Sequence, residues 1–262
     1  MKIIDIHTHI YPDSIALKAA ESVKDFYEGI GDHAMDGTEG MLLQRGHLAG
    51  IQRFVVLPVA LRPDRVQSIN DYVYNRAMEN PELIPFATVH ADMQGLTEEA
   101  ERMLAKGVKG IKMHPDSQGF PLDDPRLFPL YETLRGRAPV MLHMGDPRYD
   151  LSHPSRLRRL LGLFPGLEVI AAHLGGYSMY ETARQLLRDT DCVMDLSSSV
   201  VFLAPGEAER YINLYGAERL AFGSDYPMFD PMKEAEHFLR LHITDDQKEQ
   251  IAYKTAERVL NL

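Results

Sequence analysis

Eight short apolar runs, many of them β-branched, recur at 2–7, 53–59, 84–90, 108–113, 139–144, 168–173, 192–197 and 219–224, and most lead into a stretch with helical spacing. Helices are expected near 38–49, 67–79, 96–106, 125–136, 153–163, 178–188, 205–214 and 232–240, with a last one at 244–259. Such alternation gives a parallel sheet covered by helices. Eight units in 262 residues predict an α/β fold, a closed (β/α)8 TIM barrel, as a single domain over residues 1–262. The alternative, an open doubly wound sheet, usually carries a Gly-rich phosphate turn after its first strand, where this chain has His-Thr-His-Ile-Tyr-Pro. Thr97-Glu-Glu-Ala and Thr244-Asp-Asp-Gln read as helix N-terminal caps, and Lys106-Gly107 as a glycine stop. Residues 10–37, with Tyr11, Phe26, Tyr27 and His33, depart longest from this rhythm. On a barrel a first βα loop of that length is either a lid or substrate wall over the catalytic face, or a tolerated surface insertion.

Charge and cysteine content narrow the partners. A formal net charge of −10 lacks the basic footprint that a nucleic acid or an anionic membrane would need. The lone Cys192 excludes an internal disulfide and argues against a thiolate metal cluster. Met-Lys-Ile-Ile-Asp puts charge where a signal peptide needs its apolar core, and no apolar run approaches the ~18 residues of a spanning helix. The expectation is a cytoplasmic protein acting on a small molecule, with no nucleic-acid or membrane partner.

The chemistry is concentrated where strands end. In Asp5-Ile-His-Thr-His9, a period of two places Asp5, His7 and His9 on one face of the first strand. Two imidazoles so placed suit a metal ion, although eleven histidines in the chain make a His-x-His pair by chance roughly an even bet. His143 closes the fifth apolar run, His173 the sixth and Asp225 the eighth. In a barrel these positions face the C-terminal mouth, where catalytic groups gather from different strands. Four strands ending alike point to a shared metal site. Asp5, deeper on the face of His7, is either an acceptor that orients an imidazole or a buried structural hydrogen-bonding group.

The chain resembles the amidohydrolase superfamily, in particular its amidohydrolase-related branch of metal-dependent hydrolases and non-oxidative decarboxylases. The resemblance rests on His-x-His in strand one, Gly-Ile-Lys-Met-His-Pro in strand four, histidines ending strands five and six, and Gly-Ser-Asp-Tyr-Pro in strand eight. It implies that His7, His9, His143 and Asp225 bind one divalent ion, expected to be zinc, with a water site left open. It also implies that His173 is a catalytic acid or base beside the ion, or a ligand to a second one. Three imidazoles and a carboxylate suit zinc by donor type, with manganese, iron or cobalt as alternatives. A bound ion lowers the pKa of water to ~7, and Asp225 is placed to take and pass on its proton. Lys112 and His114 share a strand face and are expected to anchor an anionic substrate. The alternative for Lys112 is carboxylation and the bridging of two metals, as in some members of the superfamily. Related barrels often form homodimers, and a homodimer is the expected assembly.

Other residues draw plainer readings. Gln118 lines the pocket or supports its loop; His90 is structural; His153, His237 and His242 face solvent. His33 and His47 are weaker candidates for the mouth, and Arg62 and Arg148 for binding a carboxylate. Ser197-Ser-Ser199 lacks the glycines of a nucleophile elbow, which argues against a serine hydrolase. The leading expectation is a metal-dependent hydrolase of a small amide, lactone or ester. The alternative is a non-oxidative decarboxylase of a small aromatic or enoic acid, in which Asp225 protonates the carbon that loses carbon dioxide. A non-catalytic metal-binding scaffold and a phosphodiesterase are the remaining readings.

Overall fold

The computed structural model describes residues 1–31 and 35–262; His33 lies outside them. Nine parallel segments make the sheet: β1 (Ile3–Thr8), β2 (Ile51–Val56), β3 (Leu83–Pro85), β4 (Ala87–Thr88), β5 (Ile111–Met113), β6 (Val140–Leu142), β7 (Val169–Ala171), β8 (Val193–Asp195) and β9 (Leu220–Ala221). β3 and β4 are one barrel strand interrupted at Phe86, whose N–H still donates to Val56 O at 3.1 Å, while Ala87 N donates to Gly110 O at 3.0 Å, both distances typical of a ladder. The ring closes between last and first strands. Ile6 N donates to Phe222 O at 3.0 Å, Asp225 N to His7 O at 2.8 Å and His9 N to Tyr226 O at 2.7 Å. The eight-unit TIM barrel expected from the sequence is therefore the observed fold.

Two apolar layers follow from the alternation of each strand. Ile4, Ile6, Val55, Ile84, Phe86, Met141, Ile170, Val193 and Ala221 fill the barrel. Ile3, Phe54, Val56, Ile111, Val140, Leu142, Val169 and Met194 pack outward, against the helices. The C-terminal helical segment carries Ala256, Val259 and Leu260 into the inner cluster, so it plugs the end of the barrel opposite the strand C-termini. Each large aliphatic side chain so buried contributes roughly 1.5–3 kcal/mol.

The expected caps hold in two cases and fail in one. Thr244 forms a capping box with Gln247, and Gly107 ends its helix in the left-handed region. Thr97 is not a cap: the helix Leu96–Lys106 begins one residue before it, after a left-handed Gly95. Inside residues 10–37 lies α1 (Ala16–Phe26), with Ala16, Ala20 and Lys24 buried at a spacing of four.

The first strand breaks the simple alternation. Asp5 pairs with Phe54 but Thr8 with Val56, so β1 carries one extra residue between them. Ile6 and His7 thus both turn into the barrel, and Asp5 does not share their face. Gly223 answers this crowding: a Cβ there would lie 2.9 Å from His7 Cβ and 3.2 Å from Ser197 Cβ. Gly223→Ala is expected to destabilise the protein by about 1–3 kcal/mol through overpacking, measured by denaturant unfolding, and to displace His7.

Candidate metal centre

β1, β5, β6, β7, β8 and β9 all deliver polar side chains to the mouth. His7 Nδ1 donates to Asp195 Oδ2 at 2.9 Å, which leaves Nε2 as a bare acceptor. His7 Nε2 faces Lys112 Nζ at 3.2 Å and Asp225 Oδ1 at 3.4 Å. His9 Nδ1 donates to Leu57 O at 2.6 Å, and its Nε2 lies 3.7 Å from the same Asp225 oxygen. His173 Nδ1 donates to Ser197 O at 3.0 Å, and its Nε2 meets His143 Nδ1 at 3.0 Å. His7, His9 and Asp225 hold their donor atoms within 4.8 Å of one another. His143 stands outside that trio, stacked on His114 with ring centroids 3.8 Å apart.

Burial sets the charge state of these groups. His7, His114 and His143 are held well below the ordinary imidazole range, first by desolvation and then by neighbouring cations. Desolvation is also the main cause that takes His9 down to about 3 and His173 to about 4. Neutral imidazoles are what a divalent ion requires. Burial raises the Asp225 carboxyl to about 7, against the opposing effects of Ser198 and Lys112, and lowers Lys112 to about 8. His7 and His9, each with Nδ1 committed to an oxygen and Nε2 turned toward Asp225 Oδ1, fit a divalent metal ion together with that carboxylate.

The orienting residues differ from those expected. Asp5 Oδ1 accepts from the backbone N–H groups of His7 and Ser224 at 3.1 and 3.0 Å, so Asp5 is structural and Asp195 orients His7. Asp195 also accepts from His173 N at 3.1 Å and from Ser197 Oγ. Ser198 Oγ donates to Asp225 Oδ2. Thus the Ser197–Ser199 run, without a nucleophilic role, braces the site. His173, Ser198 and Asp225 adopt left-handed φ values of 59°, 48° and 63°, which are costly for these residues and cluster at functional sites.

A cavity of about 570 Å³ opens beside these groups, lined by His7, His9, His114, His143 and Asp225 and walled by Phe26, Tyr27, Val59, Leu61 and Met228. The first loop is therefore a wall of the site. Its Tyr27 hydroxyl lies 2.8 Å from His114 Nε2 and 3.3 Å from His143 Nε2, a residue that sequence reasoning named only as part of the loop. Lys112 is fully buried behind His7 and does not line the cavity, whereas His114 does. His173 lines a small recess behind His143.

The remaining candidates fall away from the chemistry. Gln118 Nε2 donates to Ala60 O and Val89 O, both at 2.9 Å, and so supports the loop. Arg148 donates to Phe26 O at 2.8 Å and pairs with Asp146, which clamps α1 to the barrel. Arg62 pairs with Asp64 in solvent, and His47, half-exposed, pairs with Glu82 away from the mouth. His90 accepts from Asp92 N and is buried, as expected of a structural residue. His153 caps the helix Pro154–Leu163 rather than simply facing solvent.

Among the described residues, no helix is long and apolar enough to cross a membrane. Comparison with curated proteins gives no match. Among solved structures, the chain is similar to an uncharacterised TIM-barrel protein from Bordetella bronchiseptica, at 23% identity and a TM-score of 0.82, covering 100% of this chain and 99% of that one. It is also similar to 5-carboxyvanillate decarboxylase from Sphingomonas paucimobilis, at 16% identity and a TM-score of 0.77, with 100% and 99% covered. A third is dihydroxybenzoic acid decarboxylase from Polaromonas sp. JS666, solved with bound manganese and the inhibitor 2-nitroresorcinol, at 16% identity and a TM-score of 0.77, with 100% and 97% covered. At these identities the likeness speaks for the fold. The family model for amidohydrolases matches residues 4–262, and the chain belongs to that family.

Proposed function

We propose that this protein is a metal-dependent, non-oxidative decarboxylase of a small, flat aromatic or enoic acid. The cavity carries the reading: its walls are mainly rings and aliphatic side chains, with Ser22, Asp25 and Ser117 among them, Asp225 is the acid at the metal-facing end, and no Lys or Arg lines it among the described residues. Such a pocket suits an apolar acid with one carboxylate better than a polyanion or a polar amide. Two of the similar folds are decarboxylases of aromatic acids, which supports the same choice. The hydrolase expectation becomes the second reading, kept by Asp225 and His173, which line one recess and offer two acid/base groups.

His7, His9 and Asp225 are proposed to hold one ion, with His143 as fourth ligand. Zinc is favoured by the nitrogen-rich donor set, and manganese, bound in the Polaromonas enzyme, is its competitor. When bound, the ion supplies positive charge that binds and orients the substrate's oxygens. Asp225, at the metal-facing end of the cavity, carries the proton to the carbon bearing the carboxylate. The carbon–carbon bond breaks, its electron pair returns to the substrate's π system, and neutral carbon dioxide leaves. Asp225 is left as a carboxylate and regains a proton from solvent. The apolar walls favour this step because the negative charge leaves the substrate carboxylate and passes to Asp225, beside the Lys112 ammonium. His114 and Tyr27, on the opposite wall, are proposed to receive a polar substituent of the substrate.

Three measurements test this. A panel of hydroxybenzoates, enoic acids, lactones and amides, assayed for both carbon dioxide release and hydrolysis, is expected to give carbon dioxide from an aromatic or enoic acid; turnover confined to lactones or amides would reverse the assignment. Asp225→Asn is expected to lower turnover by about 10²–10⁴-fold with the fold intact by circular dichroism. Removal of metal by chelation should abolish activity, and restoration by Zn²⁺ against Mn²⁺ should rank the two ions.

A further inference from the structure

Asp116 is the unexplained charge in this site. It sits on the short helix Pro115–Gln118, directly after the strand that carries Lys112 and His114, with its side chain wholly buried. Oδ2 accepts from Ser152 Oγ, but Oδ1 accepts nothing among the described residues. Even the Ser152 bond is contested, because its single hydroxyl proton also faces Gly145 O at 2.6 Å. A buried carboxylate so poorly supplied with donors bears its desolvation cost without return, and a native site that keeps one has a use for it.

His143 is the imidazole nearest this carboxylate. Its Nε2 lies 3.9 Å from Asp116 Oδ2 and 3.3 Å from the Tyr27 hydroxyl, whereas its Nδ1 points to His173 Nε2. His7, His9 and His173 each have the nitrogen that faces away from the site tied to an oxygen at 2.6–3.0 Å, from Asp195, Leu57 and Ser197 respectively. His143 has only the Tyr27 hydroxyl, at a longer 3.3 Å, for that nitrogen. We propose that Asp116 is the positioning residue for His143: its carboxylate accepts a hydrogen bond from Nε2–H when an ion is bound, fixing the tautomer that leaves Nδ1 for the metal. This rests on the reading of His143 as a ligand. His114, Asp116 and His143 also lie close enough to hold a second ion by distance alone. Their geometry disfavours it, since the His114 and His143 rings are stacked within 8° of parallel and no point lies in both ring planes.

Stripping the full-length protein of metal and titrating it with Co²⁺, read by the visible absorption band and by competition with a chelator, tests the assignment. Wild type is expected to bind one Co²⁺ per chain. Asp116→Asn, which keeps the shape, and Asp116→Ala are each expected to bind Co²⁺ about 10–100-fold more weakly with a shifted band, while the melting temperature of the metal-free protein does not fall. Wild-type affinity and spectrum in Asp116→Asn would overturn the proposal, as would a stoichiometry of two that drops to one. His143→Ala separates the two levels. If it loses Co²⁺ affinity while Asp116→Asn does not, the positioning role fails alone; if His143→Ala binds as wild type, the ligand reading fails and takes the proposal with it.

Discussion

The hydrogen bonds between the first and last strands hold the site together. His7 and Asp225 are separated by almost the whole chain, yet Asp225 N donates to His7 O and His9 N to Tyr226 O. These bonds fix the backbone from which His7, His9 and Asp225 point. Because they also close the barrel, the trio cannot separate without opening the ring. The conformational entropy of assembling donors from six strands is thereby charged to folding, and little remains to be lost when an ion arrives.

The ring imposes a second condition. Buried imidazoles must remain neutral and must aim a lone pair inward, and each needs an oxygen to take the proton on its other nitrogen. Asp195 and Ser197 form the hub of this arrangement: Asp195 accepts from His7, and Ser197 O from His173, while Asp195 Oδ1 also fixes the backbone of His173. Lys112 places an ammonium against the bare nitrogen of His7, a cation meeting a lone pair in the barrel interior. The geometry that excludes Lys112 from the cavity wall is the same geometry that makes it an electrostatic partner of Asp195 and Asp225.

Much of this was legible because each catalytic candidate closes an apolar run. His143, His173 and Asp225 stand out as polar residues ending Val-Met-Leu, Val-Ile-Ala-Ala and Ala-Phe-Gly-Ser. Asp195 has the same signature, after Cys-Val-Met, yet it is absent from the residues singled out in the sequence. The face of Asp5 was not legible, since an extra residue in β1 is a property of its pairing with β2 and not of either segment alone. Gly95 displaced Thr97 as a cap for a similar reason: local propensity names several starts and the packing of the helix chooses one. The helix in the first loop does leave a trace in Ala-Leu-Lys-Ala-Ala-Glu, strong helix formers, but its docking over the mouth depends on residues far along the chain.

That docking links the wall to the centre. Arg148 lies five residues beyond His143, and its guanidinium sits 5.2 Å from the Phe26 ring centre and 5.7 Å from that of Tyr27. It is itself held by buried Asp146 and donates to the carbonyl that ends α1. The loop that follows β6 therefore sets both the His143 imidazole and the Tyr27 hydroxyl that touches it. The chemistry then depends on the barrel strands, and the choice of substrate on the one segment that departs from the strand and helix rhythm.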